Sequence, residues 1–217
     1  MSKPRYSICV TTYQAGKTIR TFFNSLLNQI DDRFEIIVVD NFSSDGSEVF
    51  LQSLAERGLI RLIRRKCSRG LGRQIAAESA FGEVLIQQID ADQVYDKFLK
   101  NAVEVFEMES SRDPEVLLFV KGKKRTHVFE REPAVTTLVY KDIFLSKTRW
   151  PEINYGEDVH VYEPFIRESH VKYLFVDEYA HQLKGGIVLR LINSFTNYQQ
   201  LFMFRFQGSR LGGRLGN

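Results

Sequence analysis

The chain has 217 residues, of which 43% are hydrophobic, and this is enough apolar material to bury the core of one large α/β domain. Its formal net charge of +3 is too small to indicate nucleic-acid binding by itself. Its two cysteines, Cys9 and Cys67, give neither a disulfide framework nor the spacing of a zinc site, so we expect a reducing, cytoplasmic setting.

Hydrophobic periodicity predicts strands that alternate with helices along most of the chain. The predicted strands cover 6–12, 34–40, 59–63, a run that ends at Asp90, 116–120 and 171–176. The predicted helices cover 16–29, 45–57, 71–81 and 95–108. This alternation is typical of βαβ units, so we expect an α/β fold with a doubly wound, mainly parallel sheet flanked by helices. Right-handed crossovers would place the strand ends along one rim, where such sheets bind ligands.

The N-terminal residues lack the apolar core and cleavage site of a signal peptide. No apolar run has the length of a membrane span. We therefore expect no leader peptide and no transmembrane helix.

Two carboxylates, Asp90 and Asp92, end the fourth predicted strand, in the stretch Glu83-Val-Leu-Ile-Gln-Gln-Ile-Asp-Ala-Asp92. Carboxylates this close repel each other, so a bound cation would favour their ionised forms. Oxygen ligands suit Mg²⁺ or Mn²⁺ better than zinc. The alternative is an ordinary strand-to-loop turn, because Asp commonly initiates turns.

Other polar and aromatic residues are expected at the same rim. Thr11 and Tyr13 follow the first strand, and Asp40 ends the second. A carboxylate such as Asp40 suits an N–H donor of a nucleobase, while Tyr13 could stack on the base. The alternatives are that Asp40 caps a turn within 40–46 and that Tyr13 is an ordinary surface aromatic.

Five segments, in order along the chain, resemble the successive motifs of the family 2 inverting glycosyltransferases, which have the GT-A fold. They are Val10-Thr-Thr-Tyr-Gln14, Ile37-Val-Val-Asp-Asn-Phe-Ser-Ser-Asp-Gly-Ser47, Arg69-Gly-Leu-Gly-Arg-Gln-Ile-Ala76, Gly82-Glu-Val-Leu-Ile-Gln-Gln-Ile-Asp-Ala-Asp92 and Tyr155-Gly-Glu-Asp-Val159. The resemblance implies transfer of a sugar from a nucleotide diphosphate donor to a hydroxyl acceptor, with inversion at the anomeric carbon.

The resemblance also implies roles for individual residues. Thr11, Tyr13 and Asp40 would bind the nucleoside, with Asp40 on the base. Asp90 would bind the donor ribose, and Asp92 would be the direct ligand of Mn²⁺ or Mg²⁺.

Two further positions are judged against the family pattern. Asn41-Phe42 stands where a second acid and a small residue are usual, so the base and sugar preference is open. His181 lies where the family often has a histidine that reaches the metal, although from its sequence context alone it is a surface-loop histidine.

Glu157 and Asp158 are the candidate acids for the acceptor side. Attack on the donor from its opposite face needs a carboxylate that takes the acceptor proton, and we assign Asp158 as this base. Glu157 is expected to bind the acceptor or to orient its neighbours. The alternative is that both acids open a helix and interact with its dipole. Trp150, nearby, could be a platform for a sugar or lipid, or an amphipathic rim residue.

A basic, glycine-containing stretch covers 61–73. Gly70 and Gly72, before a predicted helix, would form a loop whose backbone could approach a phosphate. Arg73 is expected to contact the donor diphosphate or sugar.

The C-terminal segment differs from the rest, because no acidic residue follows Glu178. Apolar residues recur at helical spacing between 187 and 206 among arginines, which predicts basic amphipathic helices. These would contact a membrane surface as a peripheral element, or pack on the domain instead. We therefore expect a nucleotide-sugar domain at 1–183 and a basic tail at 184–217.

Together, these sequence features and the resemblance predict a metal-dependent inverting glycosyltransferase. A UDP-sugar is the favoured donor and a GDP-sugar the other option; the acceptor would be a saccharide or a lipid-linked molecule, and no nucleic acid is expected. The protein would be cytoplasmic, with a possible place at the cytoplasmic membrane surface. The alternative function is a nucleotide-binding or membrane-associated interaction protein that keeps the fold but not turnover. A nucleotidyltransferase is less favoured, because it gives Glu157 and Asp158 no role.

Overall fold

The computed structural model describes residues 3–95, 97–122, 135–176 and 180–182. Nine strands form one seven-stranded and one two-stranded sheet in this part of the chain. The strands are β1 (Tyr6–Thr12), β2 (Phe34–Asp40), β3 (Arg61–Arg64), β4 (Val84–Asp90), β5 (Gln93–Tyr95), β6 (Leu117–Gly122), β7 (Thr136–Tyr140), β8 (Val171–Val176) and β9 (Ala180–Gln182). The helices are α1 (Ile19–Leu27), α2 (Ser47–Glu56), α3 (Arg69–Ser79), α4 (Leu99–Ser110), α5 (Lys141–Lys147), α6 (Asp158–Val161) and α7 (Glu163–Arg167).

The large sheet has the strand order β3-β2-β1-β4-β7-β6-β8. Strand β1 is parallel to both β2 and β4, β2 is parallel to β3, and β6 is parallel to β8. Only β7 runs antiparallel within this sheet, to β4 and to β6. The prediction of an α/β fold with a mainly parallel sheet is therefore confirmed.

Alternate residues of the central strands face two separate hydrophobic layers. Ile8 and Val10 pack with α1, α2 and α4 on one face. Cys9, between them, packs with α3, α5 and the short helices α6 and α7 on the other face. The sheet is thus covered on both sides, as expected when parallel strands are connected by helices.

A β-bulge in β4 sets the position of the two rim carboxylates. Ile8 pairs with Ile86 but Val10 pairs with Ile89, so β4 has one extra residue between these pairs. Gln88, within the extra stretch, has φ of 61°, which is uncommon for a residue other than glycine. The bulge brings Asp90 level with Thr11, because bulges shift the register of one strand relative to its partner.

The structure corrects several predicted element bounds. The helix predicted at 95–108 is α4, which begins at Leu99 and follows the short strand β5. The helix predicted from residue 71 is α3, which begins at Arg69. Strand β7 and helix α5 were not predicted. No helix among the described residues has the length and apolar character to cross a bilayer. The predicted tail at 184–217 and its membrane contact through 187–206 lie outside the described residues.

Candidate active site

A cavity of about 540 Å³ lies at the carboxyl ends of β1, β2 and β4, the rim at which ligand binding is expected. Four of the predicted site residues line it: Thr11, Tyr13, Asp90 and Asp92. Its other lining residues are Thr12, Ala15, Val39, Asn41, Cys67, Ser68, Arg69, Gly72, Ala91, Gln93, Asn154 and Tyr155. This volume is in the range of small-molecule sites.

Two residues that line the cavity, Thr12 and Gln93, each contain a buried side-chain oxygen atom without a partner among the described residues. These atoms are Oγ1 of Thr12 and Oε1 of Gln93. Thr12 is 6% exposed and Gln93 is 3% exposed. Buried polar atoms are normally paired, so unpaired atoms in residues that line a cavity are most simply explained by a ligand or water that pairs with them.

The structure places Asp40 behind the cavity wall rather than in it. Asp40 is fully buried, and its carboxylate accepts hydrogen bonds from the backbone N–H of Ser43 at 3.0 Å and from the Ser43 hydroxyl at 2.5 Å. Nε of Arg64 lies 3.4 Å from the same carboxylate. These contacts are those of a turn cap, which was the alternative interpretation of Asp40.

The next residue, Asn41, is the one that lines the cavity at this point. Its Oδ1 accepts the backbone N–H of Cys67 at 3.1 Å. Because a backbone N–H can only donate, this bond orients the amide with its oxygen towards Cys67. The NH₂ group of Asn41 is then the part of the amide that can donate to a ligand.

Asp90 and Asp92 both line the cavity, and their oxygen atoms suit a hard divalent cation. Asp90 is partly engaged, because its Oδ1 lies 3.1 Å from Nη2 of Arg73. The ligand chemistry of the pair therefore fits Mn²⁺ or Mg²⁺, and the role of Asp92 as the direct ligand stays a prediction. The backbone of His181, in β9, pairs with Val94 of β5. The predicted metal contact of the His181 side chain lies outside the described part of the chain.

The glycines at the start of α3 do not form the predicted phosphate-binding loop. The first backbone N–H groups of this helix already have protein partners: Arg69 donates to Oδ1 of Asn154, Gly70 to the carbonyl of Ile153, and Leu71 to the Ser68 hydroxyl. The Gly70 N–H group is thus not free for a phosphate. Glycine is needed here because a Cβ at position 70 would lie 1.9 Å from the carbonyl oxygen of Pro151.

Arg73 lies beside the cavity and is 6% exposed. Its Nη1 lies 3.0 Å from Oε1 of Glu157, and its guanidinium carbon lies 4.9 Å from the ring centre of Trp150. Burial is the largest influence on the pKa of Arg73 and would lower it, but the carboxylates of Asp90 and Glu157 outweigh burial and raise the pKa. Arg73 therefore stays a cation inside the protein.

Glu157 is 2% exposed and is shared between two arginines. Besides Arg73, Nε of Arg69 lies 2.6 Å from its Oε1. Its side chain makes no capping hydrogen bond to α6. Both acids stand at the start of α6, Glu157 as the N-cap residue and Asp158 as the first helical residue, as the helix-opening alternative describes. Of the two roles expected for Glu157, the orientation of neighbours fits its burial better than contact with an acceptor.

Asp158 is the first residue of α6 and is half-buried. It follows Glu157 directly, so its position depends on how Glu157 is held. It is not among the residues that line the cavity. A base that serves a second substrate is expected beside the donor cavity rather than within it.

Trp150 is neither a platform nor a rim residue, because it is 1% exposed. Its indole N–H donates to Oε1 of Gln87 at 2.6 Å, and its ring packs edge-on against Tyr162 at 5.8 Å between ring centres. Burial also raises the pKa of Tyr162. An aromatic next to a proline could not be assigned to surface or core from sequence spacing alone.

Sequence reasoning missed several lining residues, of which Asn154 and Tyr155 are the clearest. Tyr155 begins the Tyr155-Gly-Glu-Asp-Val159 motif and Asn154 immediately precedes it, so their place in the chain was the available signal. Tyr155 is 79% exposed, and the guanidinium carbon of Arg69 lies 5.5 Å from its ring centre.

Comparison with known proteins identifies a matching family and related proteins. Residues 7–172 match the model of the family described as Glycosyl transferase family 2. Uncharacterized protein MT1568 of Mycobacterium tuberculosis is 38% identical over 72 residues, which is 33% of this chain and 22% of that protein. The chain thus spans less than a quarter of the length of this relative.

Two solved structures share the fold. S. aureus TarS 1-349 in complex with UDP-GlcNAc has a TM-score of 0.66 at 18% identity, over 86% of this chain and 60% of that one. The mannosyltransferase PcManGT from Pyrobaculum calidifontis, in complex with GDP-Man and Mn²⁺, has a TM-score of 0.63 at 21% identity, over 82% of this chain and 56% of that one.

Proposed function

Because the chain belongs to glycosyl transferase family 2, we propose that it transfers a sugar from a nucleotide diphosphate donor to a hydroxyl or phosphate acceptor, with inversion at the anomeric carbon. The observation that carries this proposal is the meeting of Thr11, Asp90 and Asp92 at one cavity on the strand rim. The cavity has the size for a nucleotide and oxygen ligands for a cation.

The donor nucleoside is proposed to lie near the ends of β1 and β2. Tyr13 is 62% exposed at the cavity and offers a ring face for stacking on the base. The NH₂ group of Asn41 suits a base carbonyl such as those of uracil or guanine. A UDP-sugar is the favoured donor and a GDP-sugar the second option, which agrees with the UDP-GlcNAc named for TarS and the GDP-Man named for PcManGT.

The donor diphosphate is proposed to lie near Asp92 and Arg69. Asp92, with Asp90 beside it, would hold Mn²⁺ or Mg²⁺, which when bound supplies positive charge next to the leaving diphosphate. Arg69 is the cationic side chain among the described lining residues and is 42% exposed, so it can pair with a phosphate oxygen. The chain thus contributes carboxylates that would hold the cation and a guanidinium group that can pair with the phosphate oxygens.

Asp158 is proposed as the base that accepts the proton of the acceptor hydroxyl. A general base must come within hydrogen-bond reach of the acceptor hydroxyl. Asp158 begins α6 directly after Glu157, and it is close enough to Arg73 for its charge to contribute to the raised pKa of that residue.

Asp158→Asn tests this assignment. The wild-type protein is expected to release UDP or GDP from a matching nucleotide sugar in the presence of Mn²⁺. In the variant this rate should fall at least about 100-fold, which is the lower end of the range for general-base contributions. The affinity for UDP should stay within about threefold of the wild-type value. Glu163→Gln in α7 makes a similar charge change at an exposed residue and should behave like wild type.

The same experiment distinguishes the proposed transferase function from the non-catalytic alternative. If the wild-type protein binds nucleotide but releases none from any UDP-sugar or GDP-sugar, the non-catalytic nucleotide-binding alternative is correct. If it binds no nucleotide, the proposed function is wrong. If Asp158→Asn releases nucleotide at the wild-type rate, another group is the base.

A lipid-linked acceptor at the cytoplasmic membrane surface is a further part of the proposal. It is supported by the sequence of 187–206, where apolar residues recur at helical spacing among arginines. Flotation of the full chain with anionic liposomes, compared with a chain that ends at Gly186, measures this contact. Equal flotation of the two chains would contradict it.

A further inference from the structure

Arg73 joins two parts of the site that lie far apart in the sequence. Its Nη1 lies 3.0 Å from Oε1 of Glu157, while its Nη2 lies 3.1 Å from Oδ1 of Asp90. A guanidinium group is a planar fork of five N–H donors, so it can hold two carboxylates in fixed directions. Arg73 therefore connects the end of β4 to the residue that precedes Asp158.

The helix that carries Arg73 also holds the segment that leads to Asp158. This segment, residues 150–157, begins with Trp150, whose backbone N–H donates to Oε1 of Gln74 in α3 at 2.8 Å. In its middle, Oδ1 of Asn154 accepts the backbone N–H of Arg69 in α3 at 2.9 Å. The segment is thus attached to α3 at its start and middle as well as at Glu157.

The contacts of Arg73 leave it badly placed to bind the donor directly. Its side chain is 7% exposed, it is absent from the residues that line the cavity, and its two terminal nitrogen atoms already contact carboxylates. Arg69 also contacts Glu157, through Nε at 2.6 Å and Nη2 at 3.3 Å, but unlike Arg73 it lines the cavity and is 42% exposed. Of these two arginines, the structure favours Arg69 for the donor and leaves Arg73 with a different role.

We propose that Arg73 is a positioning residue, which holds Asp90 and Glu157 together and so fixes the place of Asp158 relative to the donor-binding end of β4, without touching the donor. This inference rests on the proposed transferase function. It replaces the expectation that Arg73 contacts the donor diphosphate or sugar. It also explains why the carboxylate of Glu157 is buried, because that carboxylate pairs with the guanidinium group of Arg73.

Arg73→Lys and Glu157→Gln are the variants that test the proposal. A lysine keeps the charge but cannot hold two carboxylates in fixed directions. Each variant should lower kcat for UDP release by about 100-fold, since a small misplacement of a catalytic group has effects of this size. In Arg73→Lys the donor KM and the Kd for UDP should stay within about threefold. Glu157→Gln also releases Arg69, so donor binding is compared with wild type only for Arg73→Lys. The losses of kcat in the double variant should not add in full, because the two residues share one contact, although Arg73 also holds Asp90 and Glu157 also holds Arg69.

Amide hydrogen exchange of peptides that cover residues 150–158 gives a readout that does not require turnover. Exchange in these peptides should increase in both variants. Arg61→Lys is the matched control, because Arg61 also pairs with a carboxylate, with its Nη1 3.7 Å from Glu35, but does not line the cavity. It should change neither kcat nor exchange at 150–158.

Two results would overturn the role of Arg73. A rise in the donor KM and in the Kd for UDP that matches the loss of kcat would show direct donor contact. Unchanged exchange at 150–158 in Arg73→Lys would show that Arg73 does not position this segment. If the wild-type protein neither binds nor releases nucleotide, the proposed function fails separately, and the exchange result alone decides what Arg73 holds.

Discussion

The backbone N–H of Gly70 donates to the carbonyl oxygen of Ile153 at 3.0 Å. This contact brings the first turn of α3 against the 150–157 segment so closely that a side chain at position 70 has no room. The helix that borders the donor cavity and the segment that leads to Asp158 therefore form one packed unit.

Gly70→Ala should disrupt this unit. The added Cβ would lie 1.9 Å from the Pro151 carbonyl oxygen and 3.2 Å from that of Ile153, so the segment must move. We expect a loss of about 1 to 3 kcal/mol in the free energy of unfolding, the usual range for overpacking, together with a large loss of nucleotide release. Urea unfolding and a nucleotide-release assay measure the two effects.

Gly58→Ala is the control for Gly70→Ala. Gly58 has φ of +70° and open space where a Cβ would be, so alanine there introduces backbone strain away from the site. It should reduce stability without a change in release at a temperature where it is folded. Full activity of Gly70→Ala would show that the segment tolerates displacement.

Cys67 offers a test of the donor cavity that needs no acceptor. It lines the cavity and is half-buried, while Cys9 is 3% exposed. A maleimide should therefore label the native protein mainly at Cys67, and UDP with Mn²⁺ should slow this labelling. Burial raises the pKa of Cys67, so the labelling rate should keep rising with pH beyond the range of an ordinary thiol.

Cys67→Ala provides the control for the labelling experiment, because the native variant should take up almost no reagent until it is unfolded. Mass spectrometry of the labelled protein identifies the modified residue. Labelling of Cys67 at the same rate with and without saturating nucleotide would place the nucleotide elsewhere.

The fold was predictable from the sequence because its signals are local. The apolar runs at 6–12 and 34–40 match β1 and β2 residue for residue, since parallel strands buried on both faces need continuous apolar character. Strand β7 was missed although Thr136-Thr-Leu-Val-Tyr140 is rich in β-formers, because the sequence predicted no helix between the strand at 116–120 and this segment.

The candidate site was predictable only in part. The end of a strand can be located from the neighbouring sequence, but the partners of a side chain depend on residues elsewhere in the chain. Asp90 and Asp92 could be placed at the rim from the strand that precedes them. The direction of Asp40 depends on Ser43, three residues later, whose N–H and hydroxyl both bond to it. The pairing of Arg73 with Glu157 is a tertiary contact that no sequence spacing indicates. The roles of these residues in donor binding and catalysis stay predictions.

Tyr13→Ala should weaken nucleotide binding. The Tyr13 ring is 62% exposed at the cavity, so we propose that it stacks on the base on one face only. Loss of such a ring is expected to cost about 1 kcal/mol, or about a fivefold rise in the Kd for UDP. Isothermal titration calorimetry with UDP and Mn²⁺ measures this change.

Two further variants show whether the ring itself matters. Tyr13→Phe keeps the ring and should bind UDP like wild type. Phe81→Ala removes another exposed aromatic, 61% exposed and outside the cavity lining, and should have no effect on the Kd. An unchanged Kd in Tyr13→Ala would remove Tyr13 from the base site.

Glu107, in α4, contacts the amino end of β1, opposite the carboxyl end that borders the cavity. It should make the stability of the protein depend on pH. Its carboxylate accepts hydrogen bonds from Nε and Nη2 of Arg5 at 2.9 and 2.8 Å, and from the Tyr6 hydroxyl at 2.5 Å. The Arg5 hydrogen bonds are the main reason that the pKa of Glu107 is lowered. Burial is the main reason that the pKa of Tyr6 is raised to about 12.

A carboxylate with a lowered pKa in the folded state stabilises the protein above its unfolded-state pKa, and this stabilisation is lost as pH falls through the folded-state pKa. Glu107→Gln should therefore lower the free energy of unfolding at pH 7, by about 1 kcal/mol or less because the Glu107 side chain is 35% exposed and water screens the pair. The difference between variant and wild type should shrink as the pH falls through the lowered folded-state pKa of Glu107, where the wild-type carboxyl group becomes protonated. Urea unfolding of both proteins at several pH values measures this difference, and Glu104→Gln, at an exposed position of the same helix α4, is the control that should show no such change. A difference that stays constant down to the lowest pH would show that Glu107 acts through packing rather than through its charge.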